Sequence, residues 1–90
     1  MNLNVENILV VGLGMIGSSI AFAAKSKGIN VNGFDLNDDV LKKAIDENII
    51  DATIESIEEI NTNQIDLIIL AVPPKQTLEL LNKLDYLWNS

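Results

Sequence analysis

The run VVGLGMIGSS, Val10 to Ser19, constrains the fold more than any other part of the chain. Apolar residues of strand type lead directly into glycines at 12, 14 and 17, and small residues then open a segment of helical periodicity. A strand that turns so abruptly into a helix is the first βα unit of a parallel α/β sheet. Each glycine has its own task in such a turn. Gly12 permits a tight exit from the strand, Gly14 lets a phosphate-bearing ligand approach the backbone, and Gly17 lets the helix pack hard on the sheet. The amides of Met15 and Ile16 would then face outward with the helix dipole behind them, an arrangement suited to an anion. The same glycines could also serve tight βα packing and nothing else.

The rest of the chain repeats the alternation. The first strand is expected over Ile8 to Leu13, followed by a helix over Met15 to Lys27 with Ile16, Ile20, Ala23 and Ala24 on its inner face. Gly28 ends that helix as a left-handed cap. A second strand spans Asn30 to Phe34. Asn37 then caps a second helix whose first turn carries Asp38 and Asp39, with Val40, Leu41, Ala44 and Ile45 as its buried stripe and Asn48 as its left-handed terminator. A short third strand falls within Ala52 to Glu55, and Ser56 with Glu59 reads as a capping box. Ile65 to Val72 is a fourth strand, continuous in apolar residues apart from Asp66, as in a strand buried on both faces. Pro73 and Pro74 stop it, and a last helix follows over Lys75 to Tyr86. Right-handed crossovers arrange these strands as 3-2-1-4, a doubly wound parallel sheet with helices on both faces and so a partial Rossmann fold.

Asp35 stands at the end of the second strand, eighteen residues past Gly17. An acid there can accept hydrogen bonds from the hydroxyls of an adenosine ribose and would repel a 2′-phosphate, which favours NAD over NADP. No lysine lies closer in sequence after it than Lys42. The plainer reading is a surface aspartate closing a strand. The second wall of the site should be the end of strand four, Ala71-Val72-Pro73-Pro74, across the point where the strand order reverses. Those prolines could equally be helix-start punctuation.

Composition narrows the chemistry. The 90 residues include thirteen carboxylates against six lysines, a net charge of −7, with no histidine. No basic face can be assembled for nucleic acid. Neither apolar run approaches the roughly 20 residues needed to span a bilayer, and no signal-like start is present, so the cytoplasm is the expected location. With no cysteine, disulfides and thiolate metal sites are excluded. Ser18 and Ser19 have no base to activate them. Lys75 is a cation near the expected site and reads most simply as a solvated helix-start residue. No catalytic or metal-binding residue is assigned.

Val11-Gly12-Leu13-Gly14-Met15-Ile16-Gly17-Ser18-Ser19-Ile20-Ala21 resembles the start of the prephenate dehydrogenases and their arogenate-using relatives. The likeness continues through Gly33-Phe34-Asp35, then Ala44 with Ile49-Ile50-Asp51, then Asp66 to Pro74, and covers about Asn7 to Leu84. Ile50-Asp51-Ala52-Thr53 is its most specific part; the glycine loop and the Val-Pro turn also occur in hydroxyacid dehydrogenases and pyrroline-carboxylate reductases. The resemblance implies an oxidoreductase of tyrosine biosynthesis that converts prephenate, with NAD(P), to 4-hydroxyphenylpyruvate and CO₂. It implies that Gly12, Gly14, Met15, Ile16, Asp35 and the 71–74 turn hold the cofactor. That family's catalytic histidine and substrate-binding arginine have no counterpart here. Residues 1–90 are therefore expected to be the first part of the dinucleotide-binding domain, inactive alone, its partner either a missing C-terminal domain or a second copy of itself. A non-catalytic module that reads NAD, and an interaction protein that has lost the ligand, are the alternatives.

Overall fold

The structure is a computed structural model and describes residues 5–54, 56, 58, 60, 64–72 and 74–89, the two ends of the last helix by backbone alone. Its elements run β1 (Asn7–Val11), α1 (Met15–Ser26), β2 (Asn30–Phe34), α2 (Asp38–Asp46), β3 (Ala52–Thr53), β4 (Leu67–Leu70) and α3 (Pro74–Asn89). The four strands form one parallel sheet in the order β3-β2-β1-β4. This is the doubly wound order expected from the alternation of elements.

The central strand sets the two layers. Alternate residues of a strand face opposite sides of a sheet, and all of Ile8, Leu9, Val10 and Val11 are buried. Ile8 and Val10 join Leu13, Ala21, Val31, Ala44 and Ile50 in a cluster under α1 and α2. Leu9 and Val11 join Phe34, Ile60 and Leu84 on the other side, beneath α3. No polar side chain is buried among the described residues, so both layers cohere through apolar packing. The register pairs Ile8 with Val31 on one side and with Leu67 on the other.

Both inner helices end in the same hydrogen-bonded motif. After α1, the amides of Gly28 and Ile29 donate to the carbonyls of Lys25 and Ala24 at 3.0 and 3.2 Å. After α2, the amides of Asn48 and Ile49 donate to the carbonyls of Ile45 and Ala44 at 3.0 and 2.8 Å. Each is a Schellman closure, with its left-handed residue at Gly28 (φ +83°) or Asn48 (φ +60°). Asn37 caps α2 as expected, its side-chain oxygen accepting the Asp39 amide at 3.0 Å.

Some expectations are corrected. The inner face of α1 is Gly17, Ala21 and Ala24; Ile16 and Ala23 are exposed, Ile16 by 72%. Because Gly17 carries no side chain, the helix approaches the sheet along the 17-21-24 line, and residues 16 and 23 turn away from it. In α2 the stripe is Val40, Leu41 and Ala44, with Ile45 rotated outward to 41% exposure. β4 is shorter than the run that predicts it, and its two faces are only partly buried, Ile69 against one layer and Ile68 and Leu70 against the other. It pairs with β1 on one side and forms the sheet edge on the other, leaving Leu67 48% exposed. Ladder hydrogen bonds nonetheless extend past its ends, from the Asp66 amide to Asn7 and from the Ala71 amide to Val11. Glu59 of the expected capping box lies outside the described residues.

Candidate functional site at the carboxyl edge of the sheet

Carboxylates tie down both edges of the sheet, but in different ways. At the amino edge, Asp66 Oδ2 accepts the amides of Glu6 and Asn7, both at 2.9 Å. Those two bonds hold its carboxyl below the usual aspartate range. Asp51, within the most specific segment of the sequence resemblance, accepts the Val31 amide at 2.8 Å and pairs with Lys25 Nζ at 3.2 Å. The Val31 bond is the main reason its pKa is lowered, with Lys25 adding to it against partial desolvation. Asp51 therefore ties α1 to the start of β2 on the side away from the glycines, and its role is structural.

At the carboxyl edge the chain is built around the glycine loop. The Gly12 amide donates to the Phe34 carbonyl at 2.7 Å, which keeps the loop attached to β2. Gly12 itself has φ +95°, a left-handed conformation that side chains disfavour. A β-carbon there would stand 2.5 Å from the Ala71 carbonyl oxygen and 2.7 Å from Val72 Cγ1. At Gly17 it would stand 1.8 Å from the Gly12 carbonyl oxygen. Gly12, Gly17, Ala71 and Val72 thus interlock, and the packing itself demands two of the three glycines.

Gly14 differs. It is the N-cap of α1 with extended backbone (φ −69°, ψ −162°), and a β-carbon on it would meet no atom of the described residues within 4 Å. No side chain caps this helix end, and its first turn holds no acidic residue. The amides of the first turn consequently keep their partial positive charge for whatever lies outside. Leu13, between the glycines, donates its amide to Asp35 Oδ2 at 2.8 Å, and its carbonyl accepts the Ser18 hydroxyl at 2.8 Å.

A cleft of about 860 Å³ opens above these residues, with Gly12, Gly14 and Asp35 on one wall and Ala71 and Val72 on another. Its size is within the usual range for a small-molecule site. Five of the expected site residues thus line one space. Gly17 lies beneath the loop, while Met15 and Ile16 stand at the helix start with exposed side chains. Pro74 opens α3, and Pro73 lies outside the described residues. The far wall was not anticipated: Glu79, Leu80 and Lys83 come from successive turns of α3, with Ser56 and Glu58 beside them. Their i, i+4 spacing was the available signal, but nothing local shows that this helix face looks over the loop. Lys83 is paired with Glu58 at 3.6 Å. Among the described residues no group of three carboxylates is placed to hold a metal ion, and no helix is long and apolar enough to cross a membrane.

The family model for the NAD-binding domain of 6-phosphogluconate dehydrogenase matches residues 7–86, from the start of β1 into the last turn of α3. The chain belongs to this family of NAD-binding domains. NAD is the cofactor the family holds. The prephenate dehydrogenase of Lactococcus lactis subsp. cremoris is 40% identical over 81 residues, a match covering 88% of this chain and 22% of that protein. The redox-sensing transcriptional repressor Rex 1 of Enterococcus faecalis is 30% identical over 81 residues, covering 87% of the chain and 38% of the repressor. Among solved structures, A. aeolicus prephenate dehydrogenase in complex with hydroxyphenyl propionate and NAD+ superposes with a TM-score of 0.84 at 32% identity, over 96% of this chain and 31% of that one. Synechocystis arogenate dehydrogenase gives 0.78 at 28% identity, over 87% and 27%. The likeness to prephenate and arogenate dehydrogenases read from the sequence therefore holds in both sequence and fold. The chain spans between a fifth and a third of the dehydrogenases it matches.

Proposed function

We propose that this chain is the cofactor-holding part of an NAD-dependent prephenate dehydrogenase of tyrosine biosynthesis, acting in the cytoplasm, with residues 1–90 as the first portion of its dinucleotide-binding domain. The observation that carries the reading is Gly14. The fold requires Gly12 and Gly17, but nothing among the described residues requires a missing side chain at 14. A residue left bare at an uncapped helix start, facing a cleft, fits a ligand whose phosphates come close to the backbone.

In this reading the amides of Met15 and Ile16 donate to the pyrophosphate, and Gly12 and Gly17 set the loop's shape. Asp35 accepts from the adenosine ribose, and the 71–74 turn walls the other end. Asp35 also disfavours a 2′-phosphate, and Lys83, which lines the same cleft, is paired with Glu58. Bound NAD supplies the hydride acceptor through which prephenate loses a hydride and CO₂ to give 4-hydroxyphenylpyruvate. The chain supplies binding and orientation only. With no histidine or arginine in the sequence, no residue is assigned as general base or as substrate carboxylate ligand, and the chain alone is expected to be inactive.

Calorimetric titration with NAD and NADP tests this. NAD binding that exceeds NADP binding, and that weakens in Asp35→Ala, supports a working cradle; a folded chain that binds neither nucleotide overturns it. A second reading, a module that senses NAD without reacting, is favoured by the match to a redox-sensing repressor. It predicts that the isolated chain distinguishes NAD from NADH in affinity, a difference the same titration measures.

A further inference from the structure

Asp35 already has two partners within the protein. Its Oδ2 accepts the Leu13 amide at 2.8 Å and its Oδ1 accepts the Asn37 amide at 2.9 Å. Leu13 is the residue between the first two glycines, and it is held at three points. Its side chain is buried in the cluster under α1, its carbonyl accepts from Ser18, and its amide goes to Asp35. One residue earlier, the Gly12 amide bonds the Phe34 carbonyl. The Gly12 bond prolongs the β1–β2 ladder by one step, and the Asp35 carboxylate then takes the amide of the following residue.

We propose that Asp35 is a positioning residue for the glycine loop as well as a ribose acceptor, so that phosphate and ribose recognition are coupled through one side chain. The proposal rests on the cofactor reading above and deepens it. An ionised carboxylate offers about four lone-pair sites. Two are taken by the amides of Leu13 and Asn37, which leaves acceptor capacity on each oxygen for a pair of ribose hydroxyls. A charged acceptor holds an amide more firmly than a carbonyl does. The Leu13 amide adjoins the peptide that leads into Gly14, so its anchor sets where the helix start faces the cleft. Replacing Asp35 to change ribose preference would therefore also loosen the phosphate cradle.

A thermodynamic cycle separates the two roles. ADP and 2′,3′-dideoxy-ADP carry the same diphosphate, but only ADP offers ribose hydroxyls. Each is titrated into the 90-residue chain and into Asp35→Ala. Positioning predicts that the substitution weakens dideoxy-ADP by about fivefold to tenfold, a part of the worth of a lost charged hydrogen bond, and weakens ADP further. Equal dideoxy-ADP affinity in the two proteins overturns positioning and leaves ribose binding intact. A folded wild-type chain that binds neither nucleotide overturns the cofactor reading instead. Amide hydrogen exchange in the wild-type chain tests the anchor without any variant or nucleotide. Leu13 should be protected at least about tenfold, and free exchange there overturns the proposal.

Discussion

A β-carbon on Gly17 would stand 1.8 Å from the carbonyl oxygen of Gly12, whereas one on Gly14 would meet none of the described residues within 4 Å. Two glycines of one motif therefore answer to different demands. Gly17→Ala forces α1 away from the loop and should cost about 3 kcal/mol or more. Gly14→Ala should change stability by no more than about 1 kcal/mol yet weaken NAD by about tenfold or more. Urea unfolding and calorimetry on the two variants read these effects separately. If Gly14→Ala kept full NAD affinity, the cradle would lie elsewhere.

Asp51 gives the fold a dependence on acid. Its carboxyl is held below the usual aspartate value by the Val31 amide and by Lys25. A lowered folded-state pKa contributes stability that is present above the unfolded value of about 4 and is lost as pH falls through the folded one. Asp51→Asn should accordingly cost about 1–2 kcal/mol at neutral pH. The gap between variant and wild type should narrow as pH drops below about 4. Urea midpoints across that range check it; a gap that stays constant would mean Asp51 acts through shape rather than charge.

Asn48 terminates α2 at φ +60° and also receives a hydrogen bond from Lys25 Nζ. Asn48→Ala puts a residue without asparagine's tolerance into the left-handed region and should cost about 1–2 kcal/mol. Asn48→Gly, which relieves the backbone but loses the Lys25 contact, should cost less. Thermal melts that rank the two the other way round would place the weight on the side chain.

The outer edge of β4, unpaired among the described residues, should make the chain associate. Leu67 is 48% exposed on that edge, and Leu78 and Leu81 of α3 are at least half exposed. Unprotected apolar edges are templates for strand addition. Light scattering at tens of micromolar protein should show dimers or larger species, reduced in Leu67→Lys, because a charged edge resists pairing. A monodisperse monomer would show that the edge is blunted by other means.

Much of this was legible in local pattern. The switch between strand and helix periods located every element, and Asn37, Gly28 and Asn48 marked helix ends because capping depends on a few adjacent residues. The strand order followed from connection handedness. Where the reading of faces failed, at Ile16, Ala23 and Ile45, the cause was tertiary. An amphipathic stripe is broad, and which part of it touches the sheet depends on how closely the helix can approach. That approach was decided at Gly17 by a contact with Gly12 across the turn.

The alternation of elements, the glycine spacing and the acid at the end of the second strand are properties of neighbouring residues and can be read along the chain. It took the packed fold to show that Asp35 grips Leu13, that Asp51 belongs to the opposite edge from the site, and that Lys83 and Glu58 line the same cleft as the glycine loop. Those relations join residues far apart in the chain. They exist only once parallel strands in a fixed register have brought the strand ends together, and a hydrogen bond or a close contact then depends on distances that no local pattern encodes.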